Sequence, residues 1–234
     1  MNRLIALLLA ITAFIVIPIA ASADPVITIP TDLNPGDTYR LVFVTSTTRN
    51  ALSSNIADYN AFVAGVASGV PKLAALGTTW TAIASTSTVD ARDNTDTNPS
   101  SAGVPIYRLD DTRIANDNGD LWDGGLLASL SITEAGTPSS SNNAWTGSGS
   151  DGVAGASSYL GTLSLFYADL GAPIAVNSHW IDASSAFPSG SYPLYGMSGV
   201  LTVVPEPSTL FLVCIGATAV VGCQLGRRRQ RGRQ

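Results

Sequence analysis

The sequence predicts an α+β domain with one main amphipathic helix and short antiparallel strands, and three observations carry that expectation. Only one central stretch, Leu52 to Val66, keeps an apolar face at helical spacing. Short β-branched and aromatic runs recur around it, separated by long polar loops rather than by further helices. The acidic residues between positions 24 and 204 are 15 Asp and a single Glu, Glu134, a balance that suits turns better than helix interiors.

The chain opens with Met1-Asn2-Arg3 and an apolar run from Leu4 to Ile19. Ala21-Ser22-Ala23 then offers a small-x-small site, so residues 1–23 are expected to form a signal peptide cleaved at Ala21 and Ala23, with Asp24 as the mature start. The alternative, a retained anchor, fits poorly with the small-residue end and the polar stretch after it. Residues 24–204 are expected to form one exported domain, long enough for a real core.

Within it, Pro35-Gly36 marks a turn, and Tyr39–Thr45 is the clearest strand. Ser53 or Ser54 is expected to cap the following helix, with Asp58 in its first turn favouring the dipole. Leu52, Ile56, Tyr59, Phe62, Val63 and Val66 fall on one arc of about 120° and predict the core-facing side. A weaker helical turn is predicted from Val70 to Leu76, ending at Gly77. Thr78–Ser85 alternates bulky and small residues as a strand does. Thr86–Gly103 reads as a long surface loop. Val104–Leu109, Arg113–Ala115, Ile132–Glu134 and Ala144–Gly147 are short strand candidates, while Asp120–Gly124 ends in a turn. Glycine and serine between Ser148 and Ser158 predict loop, and Val200–Val204 is the last strand. No internal repeat is visible.

The tail carries three signals in fixed order. Val204-Pro205-Glu206-Pro207-Ser208 is an extended break, since two prolines fix φ and remove backbone donors. An apolar run over about 209–225 follows, roughly 17 residues, the lower end of what crosses a bilayer core. Arg227, Arg228, Arg229, Arg231 and Arg233 then stop transfer and predict a cytoplasmic C-terminus. This order resembles the PEP-CTERM sorting signal of bacterial proteins, read by exosortase. The resemblance implies that Pro205, Glu206 and Pro207 are the recognition segment and that the partner enzyme, not this chain, supplies the catalytic cysteine. An ordinary single-pass anchor is the plainer alternative.

The order of elements in the exported region carries a second resemblance. Gly77-Thr78 through Ala82 and Ser85, Val104-Pro105-Ile106 with Leu109 and Asp111, Asp120-Leu121-Trp122, and Ala144-Trp145-Thr146-Gly147-Ser148 are similar to endostatin, which implies a C-type-lectin-like fold. The chain departs from that family by lacking its cysteines and its histidine-rich zinc terminus, so disulfides and metal do not carry over. The Glu-Pro-Asn and Trp-Asn-Asp motifs of sugar-binding C-type lectins are absent as well.

Charge and cysteine usage exclude several function classes. Residues 24–204 hold six Lys and Arg against 16 Asp and Glu, a net charge near −10, whereas the whole chain is at −5. Such a domain is repelled by nucleic acid and by anionic membrane. Cys214 and Cys223 both lie in the apolar tail, roughly 13 Å apart on opposite helix faces, and cannot pair. Thiol catalysis and thiolate metal sites are thereby excluded from the exported region, which must be held by packing alone.

Candidate sites remain few. His179, the single histidine, lacks the Gly-x-Ser-x-Gly elbow of a hydrolase and is expected to be a packed or surface residue. Asp117, Asp120 and Asp123 offer hard oxygen ligands for calcium in a glycine-containing loop, but no glutamate stands at the bidentate position of an EF-hand. A solvated turn is the simpler expectation. Asp90, Asp93 and Asp96 form a similar cluster. Trp80, Trp122, Trp145 and Trp180 are expected to be core in at least three cases, the alternative being a sugar platform. No cofactor is implied, and calcium is not expected to be essential to folding.

The function expected from these residues is that of an exported, non-enzymatic surface or matrix protein, processed by an exosortase-like enzyme and delivered to the exopolysaccharide layer. A carbohydrate-binding module is the second expectation, and a secreted hydrolase the third. Composition permits O-linked glycans on the Ser/Thr-rich loops. The first and last strands, Tyr39–Thr45 and Val200–Val204, are expected to pair antiparallel, with the helix covering their shared apolar face.

Overall fold

A computed structural model describes residues 26–163 and 165–204. The expected signal peptide with Ala21 and Ala23, the recognition segment Pro205 to Ser208, the apolar run and the five tail arginines lie outside the described residues. Among the described residues no helix is long and apolar enough to cross a membrane.

The domain is α+β, built on β1 (Thr38–Val44), whose sequence TYRLVFV is buried on both faces. It lies within a six-stranded sheet of order β2-β8-β1-β3-β4, formed with β2 (Trp80–Ala82), β3 (Ile106–Arg108), β4 (Arg113–Ala115) and β8 (Tyr195–Ser198); β9 (Leu201–Thr202) adds to β1. β1 runs parallel to β3 and antiparallel to β8 and β9, so the sheet is mixed rather than wholly antiparallel as expected. A second sheet, β5 (Ala144–Trp145), β6 (Ala168–Gly171) and β7 (Ser184–Ala186), is antiparallel throughout.

The expected pairing of the end strands is present over a short stretch, Thr38 opposite Thr202 and Tyr39 opposite Leu201. Most of the partnership belongs instead to β8, with Val42, Phe43 and Val44 opposite Met197, Gly196 and Tyr195. Between the two, Leu41 N–H donates to Ser198 Oγ at 2.9 Å, so a side chain bridges the break. The sequence Tyr-Gly-Met-Ser has weak strand character. Its glycine is needed because a Cβ at Gly196 would lie 2.6 Å from Val63 Cγ1 and 2.8 Å from Phe43 Cζ, where the helix packs directly on the strand.

That helix, α1, spans Ile56–Ser68. Asn55 caps it, accepting from Ala57 N–H, in place of the expected Ser53 or Ser54; Ser53 instead bonds Asp58, which stands in the first turn. Tyr59, Val63 and Ala67 form its fully buried line, with Ile56, Phe62 and Val66 half-buried beside them. Leu52 precedes the helix and is exposed, so it drops out of the predicted arc. Burial pushes the Tyr59 hydroxyl up to about 12; it donates to Ser53 O at 2.6 Å and pins the helix entry. A single turn, α2 (Pro71–Ala74), follows, and Gly77 at φ +60° ends the region as expected.

The long loop is the main correction. Residues 86–103 contain the helical turn α3 (Ala91–Asn94), and Thr86, Ala91, Thr95 and Thr97 are buried. A fourth turn, α4 (Asn118–Leu121), follows β4. Ile132–Glu134 forms isolated bridges, Thr133 with Val44 and Ile132 with Pro138, rather than a strand. Thr78–Ser85 contributes only the three residues of β2, and the last strand is two residues long. The sheet separates two apolar clusters. Tyr39, Leu41 and Phe43 face α1, while Val42 and Val44 face Ile83, Ile114, Leu121, Trp122 and Trp180.

Candidate functional site

The feature with a direct bearing on function is the place where the chain leaves the fold. Gly36 N–H donates to Val203 O at 2.9 Å, and Val203 N–H to Asp37 O at 2.8 Å. Val203 is 6% exposed and belongs to the helix-side cluster, whereas Val204 is 69% exposed. Backbone anchoring therefore runs to Val203, and Val204 is the last described residue before Pro205. Tyr39 stabilises this end of the sheet. Its hydroxyl donates to Thr28 O at 2.6 Å, and burial raises its pKa above the ordinary phenol value.

The calcium candidates are not brought together around a cation. Asp117 accepts from Asp120 N–H at 2.9 Å as the cap of α4. Asp120 accepts from Asn116 N–H at 2.7 Å and from its side-chain amide at 2.9 Å, and Asp123 accepts from Gly125 N–H at 3.1 Å. Each carboxylate satisfies a turn donor, the ordinary role of Asp in loops. Asp90, Asp93 and Asp96 diverge in the same way. Asp90 holds Ala154 N–H, Asp93 holds the Asn98 amide, and Asp96, at φ +54°, lies 3.7 Å from Arg40. Among the described residues no three His, Cys, Asp or Glu side chains are grouped to hold a metal.

His179 is exposed on a single 3-10 turn, Ser178–Trp180, where its backbone N–H donates to Asn177 Oδ1. All four tryptophans are buried, with Trp145 and Trp180 at zero exposure, so the sugar platform cannot be made from them. Trp122 donates to Thr97 O at 3.0 Å and Trp145 to Arg49 O at 2.9 Å, two polar ties that fix loops to the core.

Three polar constellations have no local signal in the sequence, because each includes a contact between residues 21 or more positions apart. Tyr107 donates to Asp32 at 2.9 and 3.0 Å, and Arg113 to the same carboxylate at 2.7 Å. Burial alone would raise Asp32, but these two donors overcome it and hold it below the usual carboxylate range. Arg108 grips Asp110 in a fork at 3.0 and 2.6 Å and donates to Ser129 O at 2.7 Å. Glu134, 7% exposed, accepts from both the backbone N–H and the hydroxyl of Ser46. The first two tie a loop to β3 or β4, and the third ties one loop to another. A further feature gave no sequence signal: Leu163, Leu165, Phe166, Tyr167 and Phe187 are exposed, and the rings of Tyr167 and Phe187 stack at 4.5 Å.

A model of the PEP-CTERM protein-sorting motif matches residues 203–230. Among curated proteins no match to the chain is found. The motif marks the chain as a substrate of exosortase-type sorting and directs it to the cell envelope. Its first residue, Val203, is held just past β9 by backbone bonds to Gly36 and Asp37, so sorting motif and folded domain overlap at a buried side chain.

Proposed function

We propose that the chain is a non-enzymatic surface or matrix protein, held in the membrane by residues 209–225 until an exosortase-like enzyme processes it near Pro205 to Pro207. Processing then releases it, or attaches it, in the exopolysaccharide layer. The observation that carries this reading is the abrupt exit at Val203 and Val204, the two residues that precede Pro205 in the sequence. The polar constellations support a structural role, since each ties a loop to the fold and holds its carboxylate in hydrogen bonds. Mass spectrometry of the mature protein is expected to find no peptide beyond Leu210. Recovery of an intact tail containing Arg227 in most of the surface protein would overturn processing and leave a permanent anchor.

A second reading, a carbohydrate-binding module on a C-type-lectin-like scaffold, is favoured by one observation. The exposed Tyr167–Phe187 stack supplies the aromatic surface that the tryptophans do not. The closure of first and last strands on each other agrees with that scaffold. Electrophoresis through gels containing exopolysaccharide, with and without calcium, tests it. Retardation lost in Tyr167→Ala and Phe187→Ala supports binding, and equal mobility with and without polysaccharide removes the reading.

A further inference from the structure

A groove of about 350 Å³ runs beside β9 at the same exit, lined by Ile29, Leu76, Val200, Leu201 and Val204 among others. Ile29, Val200 and Val204 are 37%, 51% and 69% exposed. None of the lining residues is charged, although residues 24–204 carry 16 acidic side chains. Asp37, whose backbone carbonyl accepts from Val203 N–H, turns its carboxylate to Asn34 N–H at 2.8 Å.

The chain beyond the fold decides what this face meets. Six residue steps separate Val204 from Leu210, where the apolar run begins, and six steps span at most about 20 Å. The headgroup layer of a leaflet takes up about 6 Å of that distance. The exit face is therefore kept close to the bilayer for as long as the tail stays in it. An acidic domain near −10 is pushed away from anionic lipid wherever its carboxylates face the surface. The lining of the groove adds no charge to oppose that approach, and its exposed aliphatic side chains gain by leaving water.

We infer that, in the unprocessed protein, the groove formed by Ile29, Leu76, Val200, Leu201 and Val204 lies against the lipid headgroup boundary of the membrane that holds the tail. This rests on the proposed membrane placement of residues 209–225. A second copy is a poorer occupant, because two domains of this charge repel each other.

The test uses the full chain in phosphatidylcholine–phosphatidylglycerol vesicles doped with nitroxide lipid, with one fluorescent label per protein. Labels go on Val200→Cys and on Ser140→Cys, both with Cys214→Ser and Cys223→Ser, and on native Cys223 with Cys214→Ser. Ser140 is exposed and follows the loop that meets the opposite end of β1 at Val44. The labels at positions 200 and 223 are expected to be quenched and the label at 140 to stay bright. Adding Ile29→Asp and Val204→Asp should abolish quenching at 200 while leaving it at 223. Quenching at 223 without quenching at 200 overturns the inference and leaves the membrane placement standing. A bright label at 223 removes that placement and the inference with it. Shielding of position 200 from a water-soluble quencher without vesicles would assign the groove to the chain's own tail or a second copy, and also overturns it.

Discussion

The two faces of β1 are covered by different means. Tyr39, Leu41 and Phe43 lie under α1, whose backbone satisfies its own polar groups through thirteen helical residues. Val42 and Val44 lie under irregular chain from α4, from the segment ending at Leu130 and from the Trp180 turn. That cover has little secondary structure of its own, so its carbonyls are met one at a time. Thr146 Oγ1 donates to Ile181 O at 2.7 Å, Tyr195 to Trp180 O at 2.8 Å, and Arg108 to Ser129 O at 2.7 Å. A helix is a tolerant lid, because any apolar stripe of the right period serves. A lid made of loops is brittle, because each tie is specific.

The sharpest test of this contrast is Trp180, which packs against Trp122 at 5.5 Å and Tyr195 at 6.0 Å between ring centroids. Trp180→Ala is expected to cost about 3–5 kcal/mol, the usual range for emptying a core aromatic site. Trp180→Phe should cost much less, since the buried Nε1 makes no hydrogen bond among the described residues. Urea unfolding followed by circular dichroism measures both. A cost below about 1 kcal/mol for the alanine variant would show that the loop cover is not a rigid lid.

Two glycines sharpen the comparison further. A Cβ at Gly171, on the loop-covered side, would stand 2.0 Å from the Trp180 carbonyl oxygen, so backbone must move. Gly171→Ala is expected to destabilise by about 1–3 kcal/mol or more. Gly65 lies inside α1 with nothing within 4 Å of an added Cβ, and Gly65→Ala should stabilise by about 0.5–1 kcal/mol. Paired thermal melts give the signs directly, and two changes of the same sign would break the contrast.

The smallest expected effect is the pH dependence contributed by the Arg108–Asp110 fork on the loop side. Burial alone would raise Asp110, but the Arg108 fork holds it below the usual carboxylate range. A depressed folded pKa contributes stability above the unfolded value, near 4, and loses it as pH falls through the folded one. Wild type should therefore lose stability on acidification more steeply than Asp110→Asn. Parallel acid limbs in the two melting profiles would show that the Arg108 fork is not coupled to folding.

What was legible in the sequence follows the same division. β1 and α1 announce themselves through β-branched density and a helical stripe, and the tail through its fixed order of prolines, apolar run and arginines. The region 86–103 reads as surface because its threonines and aspartates are polar, yet Thr95 and Thr97 are buried as a bonded pair at 2.7 Å. Ser85 and Ser148, 63 positions apart, likewise make a buried contact at 2.7 Å. Such pairs have no local period to detect. β8 carries no strand signal because its glycine serves close packing rather than strand propensity, and β7 carries none because Ser-Ser-Ala is largely exposed and nearly apolar-free. The Asp117, Asp120 and Asp123 group resembles a ligand set in sequence because carboxylates that serve successive turns crowd together along the chain while pointing at separate donors.

The place of β1 in the sheet also sets an order in time. It is the first strand among the described residues, and its antiparallel partners, β8 and β9, come some 150 residues later, just before the sorting motif. A chain that emerges N-terminus first holds this central strand without those partners until nearly the whole domain has passed. Contacts of such long sequence separation form slowly. The last piece to arrive, β9, completes the antiparallel pairing of β1, so a domain that has not finished folding does not hold its exit, Val203 and Val204, in the folded geometry.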